Sequence, residues 1–307
     1  MIVLWGPVGD GPLSSVYECL RQTEIATTLI EQSKVGEYRF RSNACGEKFN
    51  GRVTWQKAAI QLSDATAIYL RQYDFTKFPN FRRLGPSSQK WQAAAKFEDG
   101  MLLWSELSDA VVINRPSAMC SNNSKPYQLK LIRTAGFHVP ATLVTTDPDE
   151  VMAFVNVCGQ VIYKSVSSRR SIIARLSNED LARIDSVASC PTQFQQYIPG
   201  RDFRVHVLGE RTFVHEIKSD AVDYRYSPDS LKIPAVLPPE VDNLCVALTQ
   251  TLGLVFSGID LRLTPDGEWY CFEVNPSPGY TYFEQGSGEI TRALAGFLAV
   301  DERSMRI

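Results

Sequence analysis

Histidine is scarce in this 307-residue sequence: there are three, His138, His206 and His215, and none stands at zinc-ligand spacing from a cysteine. The seven cysteines, at positions 19, 45, 120, 158, 190, 245 and 271, include no C-x-x-C pair. An odd, scattered set argues against a disulfide framework and fits buried thiols in a reducing cytosol, so a cytoplasmic location is expected. With these shortages goes the absence of a Cys/His or Ser/His nucleophile pattern. No apolar run reaches the roughly 18 residues of a membrane span. The N-terminus, Met-Ile-Val-Leu-Trp-Gly, lacks a basic leader and reads as a first strand. Neither sign of charge dominates, with 32 Lys and Arg against 34 Asp and Glu. Composition therefore gives no reason to expect nucleic acid or a membrane surface as partner. Internal repeats and low-complexity tracts are missing too.

What is present is an ordinary globular composition, 44% apolar and 21% charged, in a chain long enough for two domains or three small interlocked ones. Ile2–Trp5 is a short apolar run, G-P-V-G-D-G-P follows at 6–12, and a helical pattern runs from Ser14 to about Ile30. This is a Rossmann-like opening. Its loop matches a phosphate-binding turn only loosely, with Pro12 inside it, and reads as a tight structural turn. Residues 55–72 and 87–108 have helical spacing, with a strand through Ala67–Leu70 as the alternative for the first. Val111–Ile113 is a buried strand closing at Asn114-Arg-Pro. Ser124 caps a helix to Thr134, with Pro126 in its first turn, and Ala135-Gly136 ends it. A strand from Val139, a helix over Glu150–Val157 and a strand from Val161 carrying Lys164 come next. A hairpin starts at Asp202, turns at Gly209-Glu210 and returns through Ile217. Helices are expected from Pro238 to about Leu252 and over Ile290–Leu298. Linkers are placed at 114–124 and 226–239. The division expected is an α/β domain over 1–115, a second over 116–194 and a third over 195–307.

The stretch Phe256–Glu284 says most about function. Two strand-like runs flank a turn at Pro265-Asp-Gly. The first carries Asp260; the second carries Glu273 and Asn275, two apart and so on one face. Tyr270, Phe272 and Val274 are expected on the opposite face. Three oxygen-bearing side chains converging from neighbouring strands suit a hard cation such as Mg²⁺ held with nucleotide phosphates.

Seven short motifs stand in order along the chain: S-K-P-Y-Q (124–128), V-I-Y-K (161–164), Q-Q-Y-I (195–198), D-F-R (202–204), D-Y-R (223–225), G-I-D-L (258–261) and F-E-V-N-P-S-P-G (272–279). Together they resemble the ATP-grasp superfamily, RimK-like branch, over about residues 110–300. The resemblance implies an α/β (α+β) ATP-grasp fold, with nucleotide between two α+β domains and a Rossmann-like pre-grasp domain in front. It implies that Lys125 and Lys164 hold nucleotide phosphates, that Gln196, Tyr197 and Ile198 form the adenine hinge, and that Asp202 contacts the nucleotide. Arg225 falls near the phosphates, and Arg204 at a position to neutralise developing acyl-phosphate charge. Asp260, Glu273 and Asn275 match metal ligands for two Mg²⁺ ions, with Mn²⁺ as a substitute.

One departure concerns the flap over the phosphates, where the sequence reads Lys164-Ser-Val-Ser-Ser-Arg-Arg-Ser with no glycine. Arg169, Arg170 and the serines are left to make any phosphate contact there. The same lack of glycine, the D-Y-R element and the aromatic ending after Asn275 look closest to the microviridin-type (graspetide) peptide ligases. The activity implied is ATP-dependent joining of a carboxylate to an amine or hydroxyl through an acyl phosphate. Peptides or small carboxylate and amine compounds are the implied substrates, and a homodimer is compatible with the resemblance. A nucleotide-binding module without ligase activity and a kinase-like enzyme are the competing readings.

Overall fold

The computed structural model describes residues 1–45, 48–166, 173–219 and 230–300. β1 (Ile2–Gly6) is buried at every position, as a central parallel strand covered on both faces must be. It leads into α1 (Gly11–Arg21), and β2 (Thr27–Glu31) returns beside it. The helix expected to reach Ile30 stops at Arg21, because Thr27-Thr28-Leu29-Ile30 pairs in parallel with β1 instead. Three antiparallel strands follow: β3 (Arg39–Cys45), β4 (Lys48–Trp55) and β5 (Ala58–Gln61). Then come β6 (Ala67–Leu70), α2 (Gln89–Leu107), β7 (Val111–Ile113) and the short α3 (Pro116–Met119). The helix expected over 55–72 is therefore replaced by strand, turn and strand, and the alternative through Ala67–Leu70 is the observed one. The first sheet runs β2-β1-β6-β7, all parallel.

The glycine loop after β1 ends on Asp10, which is buried and caps α1 by accepting from Leu13 N at 2.8 Å. Arg71 grips the same carboxylate through Nε (3.0 Å) and Nη2 (2.8 Å), and the Tyr73 hydroxyl donates to it at 2.8 Å. Burial alone would raise the Asp10 pKa; the Arg71 pair, Leu13 N–H and Tyr73 outweigh it and hold it below the ordinary value. The anion at this helix N-terminus is thus the chain's own.

In the second part, α4 (Lys125–Thr134), β8 (Thr142–Thr145), α5 (Pro148–Cys158), β9 (Val161–Ser165), β10 (Ala174–Arg175), α6 (Asn178–Leu181) and β11 (Thr192–Gln196) follow in order. Their sheet is antiparallel, β10-β9-β11-β8. One face, with Val161 and Phe194, packs on Val151 of α5. The other carries Ile162, Lys164, Gln193 and Gln195, since Lys164 pairs with Gln193 and Ile162 with Gln195. β12 (Arg201–Leu208), β13 (Arg211–Lys218), β14 (Leu231–Pro234), α7 (Pro239–Thr251), β15 (Phe256–Leu263) and β16 (Trp269–Asn275) complete this part, in a sheet ordered β14-β13-β12-β15-β16. α8 (Glu289–Ala299) closes the described chain and packs on α1.

By contacts the chain divides into two compact units. The first gathers Met1–Met119, Leu254–Phe256 and the chain from Pro276 onward; the second gathers Cys120–Gly253 and Ser257–Asn275. The first has an aromatic core in which Trp5 meets Phe97 edge-on at 6.3 Å and Tyr38 stacks on Phe97 at 5.2 Å. Cys245 and Cys271 are buried, whereas Cys120 and Cys190 are exposed, so the expectation of buried thiols holds only for some. Among the described residues no helix is long and apolar enough to cross a membrane.

Candidate active site

β15 and β16 pair antiparallel, with Asp260 facing Glu273 and Gly258 facing Asn275. Directly opposed residues share a face. Asp260, Glu273 and Asn275 therefore project from one face, and Gly258 leaves the place opposite Asn275 free of a side chain. Ile259, Leu261, Cys271 and Val274 lie on the other face and are at most 1% exposed.

The register slips between Asp260 and Leu261, so that Leu261 pairs with Cys271 and Arg262 with Tyr270. Phe272 is the extra residue of this bulge. The expectation that Tyr270 and Phe272 oppose the Glu273 face fails here, because a bulge breaks the two-residue alternation. Tyr270 shares the face of Asp260, and Phe272 lies under the Arg262 guanidinium at 5.2 Å. Val274 alone of the three is on the core side.

Each carboxylate on the face is held by a cation. Arg204, only 4% exposed, donates from Nη1 to Asp260 Oδ1 at 2.7 Å. Lys125 Nζ donates to Glu273 Oε1 and, at 2.6 Å, to Asn122 Oδ1. Burial would raise the Glu273 pKa, but Lys125, Arg204 and Lys164 overcome it and keep the carboxyl below its ordinary value. Lys164 stands on β9, so its charge reaches Glu273 from the other sheet of the same unit.

Lys125 owes its position to a residue the sequence reading missed. One turn along α4, the Gln128 side chain donates from Nε2 to Val274 O at 2.8 Å and accepts from Val274 N at 3.1 Å. The amide pairs with β16 as a further strand would, and fixes α4 beside it. Lys125 and Gln128 are three apart and share a helix face, which is the only sequence signal for this contact.

The residues expected to form the hinge lie at the end of β11 and just beyond it. Gln196 N–H donates to Ala141 O and Tyr197 N–H to Gln160 O, both at 2.9 Å, so these two donors are used within the chain. Arg262 donates from Nη1 to Ile198 O at 2.7 Å and clasps Asp202 through Nε (2.7 Å) and Nη2 (2.9 Å). Its guanidinium lies 5.9 Å from the Tyr197 ring, and Arg175 stacks over that ring at 4.2 Å. Arg262 and Arg175 were not singled out by sequence, since neither falls in a recognisable motif. Arg225, Arg169 and Arg170 lie outside the described residues.

This constellation fits a nucleotide with a hard cation. The donors are two carboxylate groups and an amide oxygen, the set that Mg²⁺ takes alongside phosphate oxygens. Among the described residues no three His, Cys, Asp or Glu side chains gather, and the third oxygen donor of this face is the Asn275 amide. Beside Lys164, the Gln193 side chain is 2% exposed and its Nε2 has no partner, a buried donor suited to an anion.

Comparison with known proteins places the chain. Residues 122–295, more than half of it, match the RimK-like ATP-grasp domain family. The alpha-aminoadipate–LysW ligase LysX of Sulfurisphaera tokodaii is 25% identical over 182 residues, 55% of this chain and 64% of that protein. The chain thus spans less than two thirds of this curated relative. The structure of the ATP-grasp ligase PsnB complexed with minimal precursor superposes with a TM-score of 0.80 at 29% identity, over 97% of this chain and 98% of that one. The macrocyclase MdnC of Microcystis aeruginosa MRC, bound with precursor peptide MdnA, has the same fold, with a TM-score of 0.81 at 20% identity, covering 97% of this chain and 99% of that one. By this match over more than half of its length, the protein belongs to the RimK-like ATP-grasp family.

Proposed function

We propose that the protein is an ATP-dependent carboxylate–amine or carboxylate–hydroxyl ligase that modifies a ribosomally made peptide or protein at carboxylate groups. The observation that carries this reading is the paired face of β15 and β16, where Asp260 and Glu273 oppose each other beside Asn275 under three basic side chains. Similarity to PsnB and MdnC, both described with precursor peptides, supports a peptide substrate over a small molecule.

In this reading Asp260, Glu273 and Asn275 hold two Mg²⁺ ions, or Mn²⁺ in their place, with the terminal phosphates of ATP. Bound there, the metal supplies charge compensation for phosphoryl transfer. Lys125 and Arg204 hold the two carboxylates, and their charge would be placed to meet phosphate and acyl-phosphate oxygens. Lys164 and the unpartnered amide of Gln193 approach the phosphates from the β9–β11 face. Tyr197 and Ile198 cover the adenine, and Asp202, oriented by Arg262, meets the ribose side of the nucleotide. Arg225 joins the phosphate cations. A substrate carboxylate attacks the γ-phosphorus and displaces ADP. An amine or hydroxyl then adds to the acyl carbon, loses its proton and expels phosphate. Positioning and charge neutralisation carry the rate, with no protein nucleophile. The division into a lid over 116–194 and a metal-bearing domain over 195–307, a cytoplasmic setting and a homodimer belong to this reading; light scattering tests the last.

Purified protein with Mg²⁺, ATP and an acidic peptide substrate is expected to release ADP. Asp260→Ala and Glu273→Ala should each lower the rate by about a hundredfold or more. Full turnover in either variant would remove the site. Hydroxylamine should trap a hydroxamate, which a kinase-like enzyme would not give. Mg-ATP binding without ADP release across peptide substrates would leave a nucleotide-binding module.

A further inference from the structure

The three-stranded sheet β3–β5 belongs to the first compact unit, and the proposed reaction makes no use of it. Its two faces differ. On the inner face Val53 is fully buried, and Phe40, Trp55 and Ile60 pack into the aromatic core. By strand alternation and pairing, the outer face presents Arg39, Arg41, Asn43, Asn50, Arg52 and Gln61. Among the described residues of this face there is no aspartate or glutamate. Arg41 stands directly opposite Arg52, and both are exposed. Like charges in that relation destabilise a sheet. A face built this way is best satisfied by anions brought from outside.

At the edge of this face, between β3 and α2, lies a cavity of about 310 Å³. Tyr38, Phe40 and Phe97 give it an aromatic floor; Arg39, Lys96 and Gln89 are polar groups around it. No carboxylate lines it. The nearest acid in sequence, Glu37, accepts from Trp55 Nε1 at 3.2 Å. Arg39, which stands on the outer face, also lines the cavity, so the two features adjoin at that residue. The cavity has the size of a single large side chain.

We propose that the outer face of β3–β5 and the adjoining cavity are a docking surface for an acidic segment of the peptide substrate. Its carboxylates lie on Arg39, Arg41 and Arg52, and one aromatic or large aliphatic side chain enters the cavity beside Lys96. This rests on the ligase reading, because a peptide modified at carboxylates carries free carboxylates for the arginines to meet. Charge complementarity then selects the occupant.

A short fluorescein-labelled peptide of Asp, Glu and one Phe, titrated into the full chain without nucleotide and followed by anisotropy, tests it. The double variant Arg41→Glu/Arg52→Glu is expected to weaken binding about tenfold, and Lys96→Glu to weaken it further. Replacing the peptide's Asp and Glu by Asn and Gln should have an equal effect, as should raising salt to about 0.5 M. The substituted residues are exposed, and the milder Arg41→Gln/Arg52→Gln should weaken binding in the same direction. Unchanged affinity in these variants, or equal binding of the amide peptide, overturns the proposal. A single-stranded oligonucleotide that binds the same face more tightly than the peptide also overturns it, as does a dimer in solution that the double variant abolishes. The assay contains no ATP, so a chain with no ligase activity would still give its result, and the two readings fail separately.

Discussion

Glu98, on α2, is an acid whose setting can be read as a titration. Partial burial pushes its carboxyl up to about 7; the Gln32 amide works against that shift, and the charges of Asp74 and Asp99 add to it. A carboxyl raised in the fold above its ordinary 4.5 stabilises the protein below that pH and ceases to do so as pH rises through about 7. Thermal unfolding followed across that window should show a falling Tm, and Glu98→Gln should flatten the fall. An equal slope in the variant would place the titration elsewhere. Other residue-scale features show why some contacts were invisible in the sequence. Asp10 and Arg71 are 61 positions apart, and Gln128 and Val274 are 146 apart. Nothing in either member of a pair announces the other. Asp260, Glu273 and Asn275 were legible because strand period alone puts two of them together and an adjacent strand supplies the third.

Elements divide the same way. The buried strands at 2–5, 111–113 and 161–165 and the helix near 89–107 follow from apolar runs and spacing, and the hairpins from their glycine turns. β5 was hidden and β6 stood only as an alternative, because short apolar steps in 55–72 fit a helix equally well until sheet partners decide. The bulge at Phe272 was hidden for a related reason: register is settled between two strands and is not written in either. One close approach between elements carries its own prediction. Gly200, just before β12, has φ of +152°, and a Cβ there would stand 2.2 Å from Leu263 O on β15. That oxygen is backbone and has little room to yield. Gly200→Ala should therefore lower stability by about 1–3 kcal/mol, read as a drop in the urea midpoint. Because Ile198 and Asp202 flank it and both bind Arg262, the same variant should weaken Mg-ATP binding.

At the scale of the whole molecule, the first unit is assembled from three separate lengths of chain, and one amide side chain of the first bonds to both of the others. Asn114 lies near the end of the first length. Its Nδ2 donates to Phe256 O and Pro276 O, both at 2.6 Å, and its Oδ1 accepts from Val255 N (2.8 Å) and Phe256 N (3.1 Å). The side chain is 2% exposed, so every lost bond leaves a buried backbone group unpaired. Asn114→Ala should cost about 2–4 kcal/mol, and Asn114→Asp, which keeps the acceptor and loses the donor, should not restore it. Chemical denaturation measures both. If Asn114→Ala left the midpoint unchanged, the three lengths would be held by their other bonds and by packing.

Arg71 adds a second tie of this kind. Besides Asp10, it donates from Nη1 to Ser277 Oγ and to Pro278 O, each at 2.9 Å. Asn275, the last candidate metal ligand, is thus followed within three residues by a loop that an arginine of the N-terminal unit holds in place. For anyone recombining such chains, residue 120 is the first break between the two units. A chimaera cut there alone would pair one parent's arginine with the other parent's loop, and would strain the backbone next to Asn275 while every candidate ligand stayed in the sequence. The exchangeable cassette is discontinuous: residues 1–119 have to travel with 254–256 and the stretch from 276 onward.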